Sequence, residues 1–475
     1  PMTTTPALTD WIEAAAEPSP CSMPTPLRLP AALAGRALPL NEPLTVASSV
    51  GRTNGASIDL GDQLAPPPFP SEDERVELLH QVWNTVDAYY LDRTFAGVDW
   101  RSLRNDLEAR VRGAQTVEEF YALIVQMVAR LGDQHTRYAP PWQVATEVAL
   151  AGNGSYEGIG LITVVQIGDL LVGYVFAGSP AARAGITARD RIIAVDGNPV
   201  GQIALDYLAA SPRFALDGRP FENLADPFGL SGPAGTTVRV TVVSPDGARR
   251  TLRLVRDEIE TTISPEGFRL PDHPGIAYLR IPTLSRDDMA AQVESTLASL
   301  LAEGPLDGLI LDLRLNVGGR NLGVQTILGH FVDGQVGYAE DTFEGRPRRN
   351  PIVVDTSPLG DQLRDVPLAV LVDPGTNSNA EVLAAVLQQQ RAAFVLGTPT
   401  AGNVESVYTY IMDDGSILWL ARTRTILAGG LNLEGTGVLP DLPVDADWTQ
   451  YLFADDPYLL AAVASLSESN QQLTG

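Results

Sequence analysis

No lysine occurs anywhere in the chain; all 33 basic residues are arginine. That absence excludes every mechanism built on a lysine base, a Schiff base or a phosphate-gripping lysine. Cysteine is almost missing too. Cys21 stands alone, so neither an intrachain disulfide nor a cysteine-based zinc site can form. No apolar run precedes Cys21 to mark it as lipid-bearing, and an incidental free thiol is expected. The 4 histidines (His80, His135, His273 and His330) are scattered, which argues against a structural metal; no cofactor is expected. No stretch approaches about 18 consecutive apolar residues, so no membrane-spanning segment is expected. Positive charge is scarce relative to negative. The formal net charge of -25 repels phosphate backbones and sets nucleic-acid partners aside. Gly-x-Ser-x-Gly, His-Glu-x-x-His, Walker and Rossmann signatures are all missing. No signal peptide is visible; because the chain opens at Pro1, a trimmed export signal and a secreted or cell-envelope location are expected.

What is present is ordinary globular composition, at a length that predicts about three domains. Residues 1–70 are rich in Pro, Ala, Thr and Gly and close on Pro66, Pro67, Pro68 and Pro70 like a linker. Residues 71–150 read as a helical domain. Val76, Leu79, Val82, Trp83 and Val86 recur at helical spacing, and Thr116 with Glu119 reads as a capping box opening a helix that Gly132 ends. Residues 156–258 carry short β-type runs between Gly and Pro turns, interrupted by an insertion at about 200–232. Residues 259–450 alternate fully apolar strands with helices, the mark of a buried α/β sheet, and 451–475 form a C-terminal helix or tail.

Ligands of such sheets gather at the carboxyl ends of strands. Two loops there stand out: Asn316 to Gly319, and Asp373 to Ser378. Ser378 precedes an apolar helix, where its hydroxyl meets the positive helix end and the Asn379 N–H. Ser378 with Glu381 also reads as a plain capping box. Gly318 and Gly319 read either as an ordinary turn or as N–H donors for an oxyanion. A serine nucleophile needs a base, and without lysine the base is one of the four histidines. His80 lies in the first helix, His273 in a turn and His330 at a helix end. His135 follows a helix in a loop beside Asp133 and Thr136. Glu434, in a turn, is a candidate to orient that base, as any of many surface acids would be.

Taken together, these segments resemble a family. GIAYLRI (275–281), LDGLILDLRLNVGG (306–319) and the stretch from Pro367 to Gly402 are similar to the core of the carboxy-terminal-processing, or tail-specific, serine peptidases. Gly178 to Gly197 resembles the PDZ domain such enzymes carry. The resemblance spans about 71–445. It implies a crotonase/ClpP-like layered α/β core with a helical N-terminal domain and an inserted β-rich PDZ domain, hydrolysis of peptide bonds in proteins or peptides, and Ser378 as nucleophile. Well-known members pair that serine with a lysine; here Asn403 stands in its place. The tricorn-like branch instead uses a histidine and a late glutamate, which His135 and Glu434 match. Asn379 with Gly318 or Gly319 would then form the oxyanion hole. Gly158, Ile159, Gly160 and Leu161 resemble the PDZ loop that binds a peptide's carboxylate. The partners implied are protein or peptide substrates, and a homo-oligomer is compatible with the chain. The alternative is a catalytically inactive peptidase-like scaffold kept for binding peptides or apolar ligands.

Overall fold

The computed structural model describes residues 69–133, 135–141, 155–165, 168–203, 228–343 and 346–474. The Pro-rich segment up to residue 68 and most of the 200–232 insertion lie outside these residues. Three helices come first: α1 (Glu72–Tyr89), α2 (Trp100–Gly113) and α3 (Val117–Ala129). Ser71 and Glu74 cap α1 reciprocally. At α3 the expected box is half realised. Thr116 Oγ accepts the Glu119 N–H at 3.2 Å, but the Glu119 carboxylate takes the N–H of Gln115 instead of Thr116. The periodic residues Val76, Leu79, Val82 and Val86 of α1 join Phe120 and Met127 of α3 in one buried cluster, which also takes in Leu418, Leu420 and Ala421.

The three-residue β1 (Arg137–Ala139) follows. Next come β2 (Ser155–Gly158), β3 (Leu161–Val165), β4 (Leu170–Val175), β5 (Arg191–Val195), β6 (Asn198–Pro199), β7 (Thr237–Val243), β8 (Arg249–Val255) and β9 (Asp257–Glu260). Strands β3-β4-β5-β7-β8 make one sheet, and β2 pairs with β9 where the chain enters and leaves this unit.

From residue 266 the chain runs through β10 (Glu266–Leu270), β11 (His273–Arg280), α4 (Met289–Ala302), β12 (Gly308–Asp312), α5 (Asn321–Leu328), β13 (Gly334–Phe343) and β14 (Arg346–Val354). It continues through β15 (Leu368–Val372), α6 (Asn379–Arg391), β16 (Phe394–Gly397), β17 (Ser406–Ile411), β18 (Ile417–Leu427), β19 (Leu442–Pro443) and α7 (Pro457–Thr474). Strands β11-β12-β15-β16-β19 are parallel neighbours, with β10 antiparallel at the edge. Every residue of β12 and β15 is buried. Side chains of α4, α5 and α6 cover one face and those of α7 the other. Two-sided burial is why these strands read as unbroken apolar runs.

A second sheet, β1-β18-β13-β14 with β17 on β18, has no counterpart in the sequence reading. Strand β14 carries Pro347, Pro351 and three arginines, a composition that argues against a strand. It survives because β14 is an edge, where a missing N–H costs nothing to the ladder.

Under α7 lies a buried ionic knot. Arg314 donates to Asp312 and, at 2.8 Å, to Asp456; Arg189, from the β3–β8 unit, donates to the same Asp456 oxygen at 2.8 Å. Tyr278 adds a hydroxyl to Asp312 at 2.7 Å. Burial pushes the Asp312 carboxyl up, but the Arg314 guanidinium outweighs it and holds the pKa at about 2. Asp456→Ala would leave Arg189 without its acid partner and Arg314 with Asp312 alone, in the interior. A loss of about 3–5 kcal/mol in unfolding free energy is expected, measured by denaturant titration; a loss under about 1 kcal/mol would show that the knot is not what holds α7 down.

Candidate active site

Strands β12 and β15 are adjacent and parallel, so the loops leaving their carboxyl ends emerge side by side. Both are stapled together by polar groups. Asp373 accepts the N–H of Leu315 and of Gly375, each at 3.0 Å. Thr376 Oγ donates to Leu313 O at 2.9 Å, and the Asn377 N–H donates to Asn316 O at 2.9 Å. The Asn316 carboxamide binds Ile281 O through its nitrogen and the Gly318 N–H through its oxygen. These bonds bring the glycine pair and Ser378 together.

Ser378 opens α6 with φ 53 and ψ -126. An ordinary N-cap is extended; this residue sits in a region of backbone space worth about 1–3 kcal/mol of strain for a non-glycine residue. Glu381 does supply the expected carboxylate, accepting the Ser378 N–H at 2.9 Å. Capping alone would not require the strain. The strained turn packs so tightly on Gly318 that a β-carbon there would lie 2.7 Å from Ser378 Cβ and 2.9 Å from Asn379 N.

The two glycines are not equivalent. The Gly318 N–H is committed to Asn316 at 2.9 Å. Gly319 pairs with Leu284 as an isolated bridge whose bonds use the Gly318 carbonyl and the Arg320 N–H. Among the described residues, the N–H groups of Gly319 and Asn379 have no hydrogen-bond partner. The Asn379 side chain clasps the same loop, donating to Gly319 O and Asn321 Oδ1.

His135 is delivered by β1, which pairs antiparallel with the distant β18, Arg137 opposite Trp419. Asp133 accepts the N–H groups of His135 and Thr136 and the Tyr90 hydroxyl, and Thr136 Oγ accepts the Ala421 N–H at 3.1 Å. The imidazole is 7% exposed, and its Nε2 lies 3.7 Å from Glu434 Oε1. That is ion-pair range, too long for a hydrogen bond, and Nε2 is buried without a partner. Glu405 completes a trio: ligand-type atoms of His135, Glu405 and Glu434 all lie within 4.8 Å of one another. Burial works to lower the His135 pKa, but the facing Glu434 carboxylate outweighs it and raises the value. Burial also resists ionisation of Glu434, yet His135 and the N–H groups of Val404 and Glu405 hold its carboxyl below the usual value. Glu405 has no such donors. Burial and then the Glu434 charge push it up to about 7.

Two carboxylates grip one short segment and connect these groups. Glu381, fully buried, accepts from Thr400 Oγ, the Gly402 N–H, the Asn403 N–H and the Ser378 N–H. The next two N–H groups, of Val404 and Glu405, go to Glu434 Oε2 at 2.8 and 3.1 Å. Glu434 Oε1 is thereby left to face His135. The segment presses on the turn that carries Glu434, and a β-carbon on Gly402 would lie 2.8 Å from the Gly437 and Thr436 nitrogens. Asn403 makes its backbone bond to Glu381, while its side-chain oxygen is buried and unpartnered.

Elsewhere the sequence candidates separate. His80 pairs with Glu108 at 3.2 Å, His273 begins β11, and His330 is fully buried. In the β3–β8 unit, Gly158 ends β2 and Leu161 begins β3. Ile159 is buried in that unit's core and Gly160 has φ +84. The Leu161 N–H is already taken by the Tyr156 hydroxyl at 3.1 Å. Asn316, Asp133 and Glu405 were not singled out from sequence. Asn316 sits inside the quoted glycine motif and Asp133 beside His135, so both had a local signal; Glu405 had none.

The profile of peptidase family S41 matches residues 275–444, that of the tricorn protease C1 domain residues 71–129, and that of the PDZ domain residues 165–211. A carboxyl-terminal-processing protease of Picosynechococcus is 30% identical over 372 residues, covering 77% of this chain and 82% of that protein. The chloroplastic carboxyl-terminal-processing peptidase 2 of Arabidopsis thaliana is 29% identical over 402 residues, 82% of this chain and 72% of that one. The solved photosystem II D1 C-terminal processing protease superposes with a TM-score of 0.56 at 26% identity, covering 78% of this chain and 93% of its own. The fold is accordingly a mixed α/β protease fold with an N-terminal helical region and a PDZ domain.

Gly318→Ala tests the close approach of the two loops. With φ +90 and no room for a methyl group, the substitution is expected to cost about 2 kcal/mol or more of unfolding free energy. An unchanged denaturation midpoint would mean the loops do not meet as described.

Proposed function

Because the chain belongs to peptidase family S41 as a carboxyl-terminal-processing serine peptidase with a PDZ domain, we propose that Ser378 is its nucleophile and that His135, oriented by Glu434, is its base. One observation carries this reading. The buried, unpartnered imidazole nitrogen of His135 faces a glutamate whose other oxygen is held by the segment that Glu381 ties to Ser378. A chain without lysine has no Ser–Lys dyad, and the match to the tricorn C1 profile over 71–129 supports the histidine-using branch.

In the mechanism, Ser378 Oγ attacks a peptide carbonyl while the imidazole removes its proton, then returns it to the leaving amine. Nε2 is turned to Glu434, so Nδ1 is the nitrogen left to accept that proton. Glu434 holds the tautomer and stabilises the imidazolium. The developing oxyanion meets the unpartnered N–H groups of Gly319 and Asn379. Gly318, whose N–H is spent on Asn316, acts instead by letting Ser378 approach. The layered parallel sheet supports the crotonase/ClpP-like assignment. The PDZ unit takes an extended tail as an added strand beside β3, whose second edge carries no strand among the described residues. The substrates on this reading are proteins or peptides cut near their carboxyl ends.

Ser378→Ala and His135→Ala should each lower kcat for peptide hydrolysis by ~10⁴ with unfolding unchanged. Full activity in His135→Ala, or no labelling of Ser378 by a fluorophosphonate, would sink the triad. The pH profile gives a second check. The base must be neutral, and the His135 pKa is raised. The acid limb of kcat/KM should therefore have its midpoint above the ~6.5 of a free histidine; a midpoint below that value contradicts the Glu434 contact.

A further inference from the structure

The trio around His135 has more donors than a catalytic triad uses. Glu405 lies beside the imidazole and Glu434, and among the described residues its one ion pair is with Arg424, at 3.8 Å. Its side chain is 14% exposed. It donates its backbone N–H to Glu434, which fixes the spacing of the two carboxylates. The remaining feature that points to a ligand is His135 Nε2, whose side chain is more than nine-tenths buried and which makes no hydrogen bond, with Glu434 Oε1 facing it at 3.7 Å. We propose that His135 Nε2, a Glu434 oxygen and a Glu405 oxygen form a site for a zinc-like divalent transition-metal ion, and that its occupancy switches the peptidase off.

The donor set selects the ion. One imidazole with two carboxylates suits Zn²⁺ or a neighbouring transition metal, whereas Mg²⁺ and Ca²⁺ take oxygen alone. A tetrahedral ion about 2.0–2.1 Å from each donor spaces them about 3.4 Å apart. The Nε2–Glu434 gap of 3.7 Å needs to close by only a few tenths of an ångström, and the Glu405 carboxylate, within 4.8 Å of both partners, has to swing inward to join them. The fourth position would stay open to water, as in metal sites with three protein ligands. Two adjacent carboxylates that repel one another gain a shared cation.

The switching follows from the ring's two nitrogens, and it rests on the assignment of His135 as base. A metal on Nε2 leaves the neutral imidazole's proton on Nδ1. Nδ1 is the nitrogen that must accept the Ser378 proton, so the metal-bound ring can only donate there. The ion also draws Glu434 away from the imidazolium it stabilises. Scatter of the four histidines along the sequence hid this site, because its ligands come from residues 135, 405 and 434 and meet through the β1–β18 pairing and the Glu434 grip on residues 404 and 405.

The test uses the tag-free full chain. Calorimetric titration of the Ser378→Ala protein with ZnCl2 should show one ion per chain, undisturbed by Mg²⁺ and by His80→Ala. Adding Glu405→Gln or His135→Ala should weaken binding at least about tenfold, since even outer partners of metal ligands are worth that much. Zinc K-edge absorption should report one imidazole nitrogen among oxygen donors. In the active enzyme, Zn²⁺ should abolish hydrolysis and a chelator should restore it. Absence of binding to Ser378→Ala, or binding untouched by both substitutions, sinks the metal site and leaves the triad standing. Hydrolysis that survives His135→Ala sinks the triad, and the switching with it.

Discussion

Everything at this site hangs on the buried carboxylate of Glu381. It has no exposure to solvent, yet it accepts from the Ser378 N–H, the Thr400 hydroxyl and the N–H groups of Gly402 and Asn403. Burial raises its pKa against the pull of those four bonds. An interior acid is tolerated only when its oxygens are satisfied, and this one is satisfied by residues that must be held in register. One end of its network is the strained Ser378 turn. The other end is the segment whose next two N–H groups fix Glu434. A position that local sequence reads as a helix cap is therefore the joint between Ser378, the proposed nucleophile, and Glu434, which faces the proposed base.

Much of the nucleophile half was readable along the chain. Strands β12 and β15 are apolar throughout, each runs into a turn and then a helix, and carboxyl ends of neighbouring strands gather such turns by topology. What could not be read was the sign of each donor. Gly318 and Gly319 look alike in sequence, and only the Asn316 carboxamide, reaching two residues forward, decides that one N–H is spent and the other is not. Asn316 is an ordinary loop residue until Ile281 O and the glycine amide are seen on either side of it.

The base half was narrowed by the absence of lysine to four histidines, and family resemblance then favoured His135 and Glu434. His135 and Glu434 lie almost 300 residues apart in sequence, and their meeting depends on a three-residue strand pairing with β18. Nothing in the period of residues 137–139 marks such a strand. The partner sheet escaped notice as well. In β18 the run ILWLARTRTIL alternates cleanly only in its second half, and the prolines of β14 are a local contradiction that its edge position resolves. Glu405 follows directly from that gap: its neighbours exist only once the second sheet is drawn.

The brevity of β1 has a consequence for how such an enzyme could be divided. Ser378 and the unpartnered N–H groups of Gly319 and Asn379 belong to a parallel sheet with its own two-sided core. The imidazole comes instead from a helical bundle that joins the second sheet through the β1–β18 pairs and through the apolar cluster it shares with Leu418, Leu420 and Ala421. On the proposed assignment, tilting that bundle would leave the Ser378 turn built but without its base. Competence to cut, on the same assignment, is a property of how two folding units dock, adjustable without altering a single residue of the part that carries Ser378.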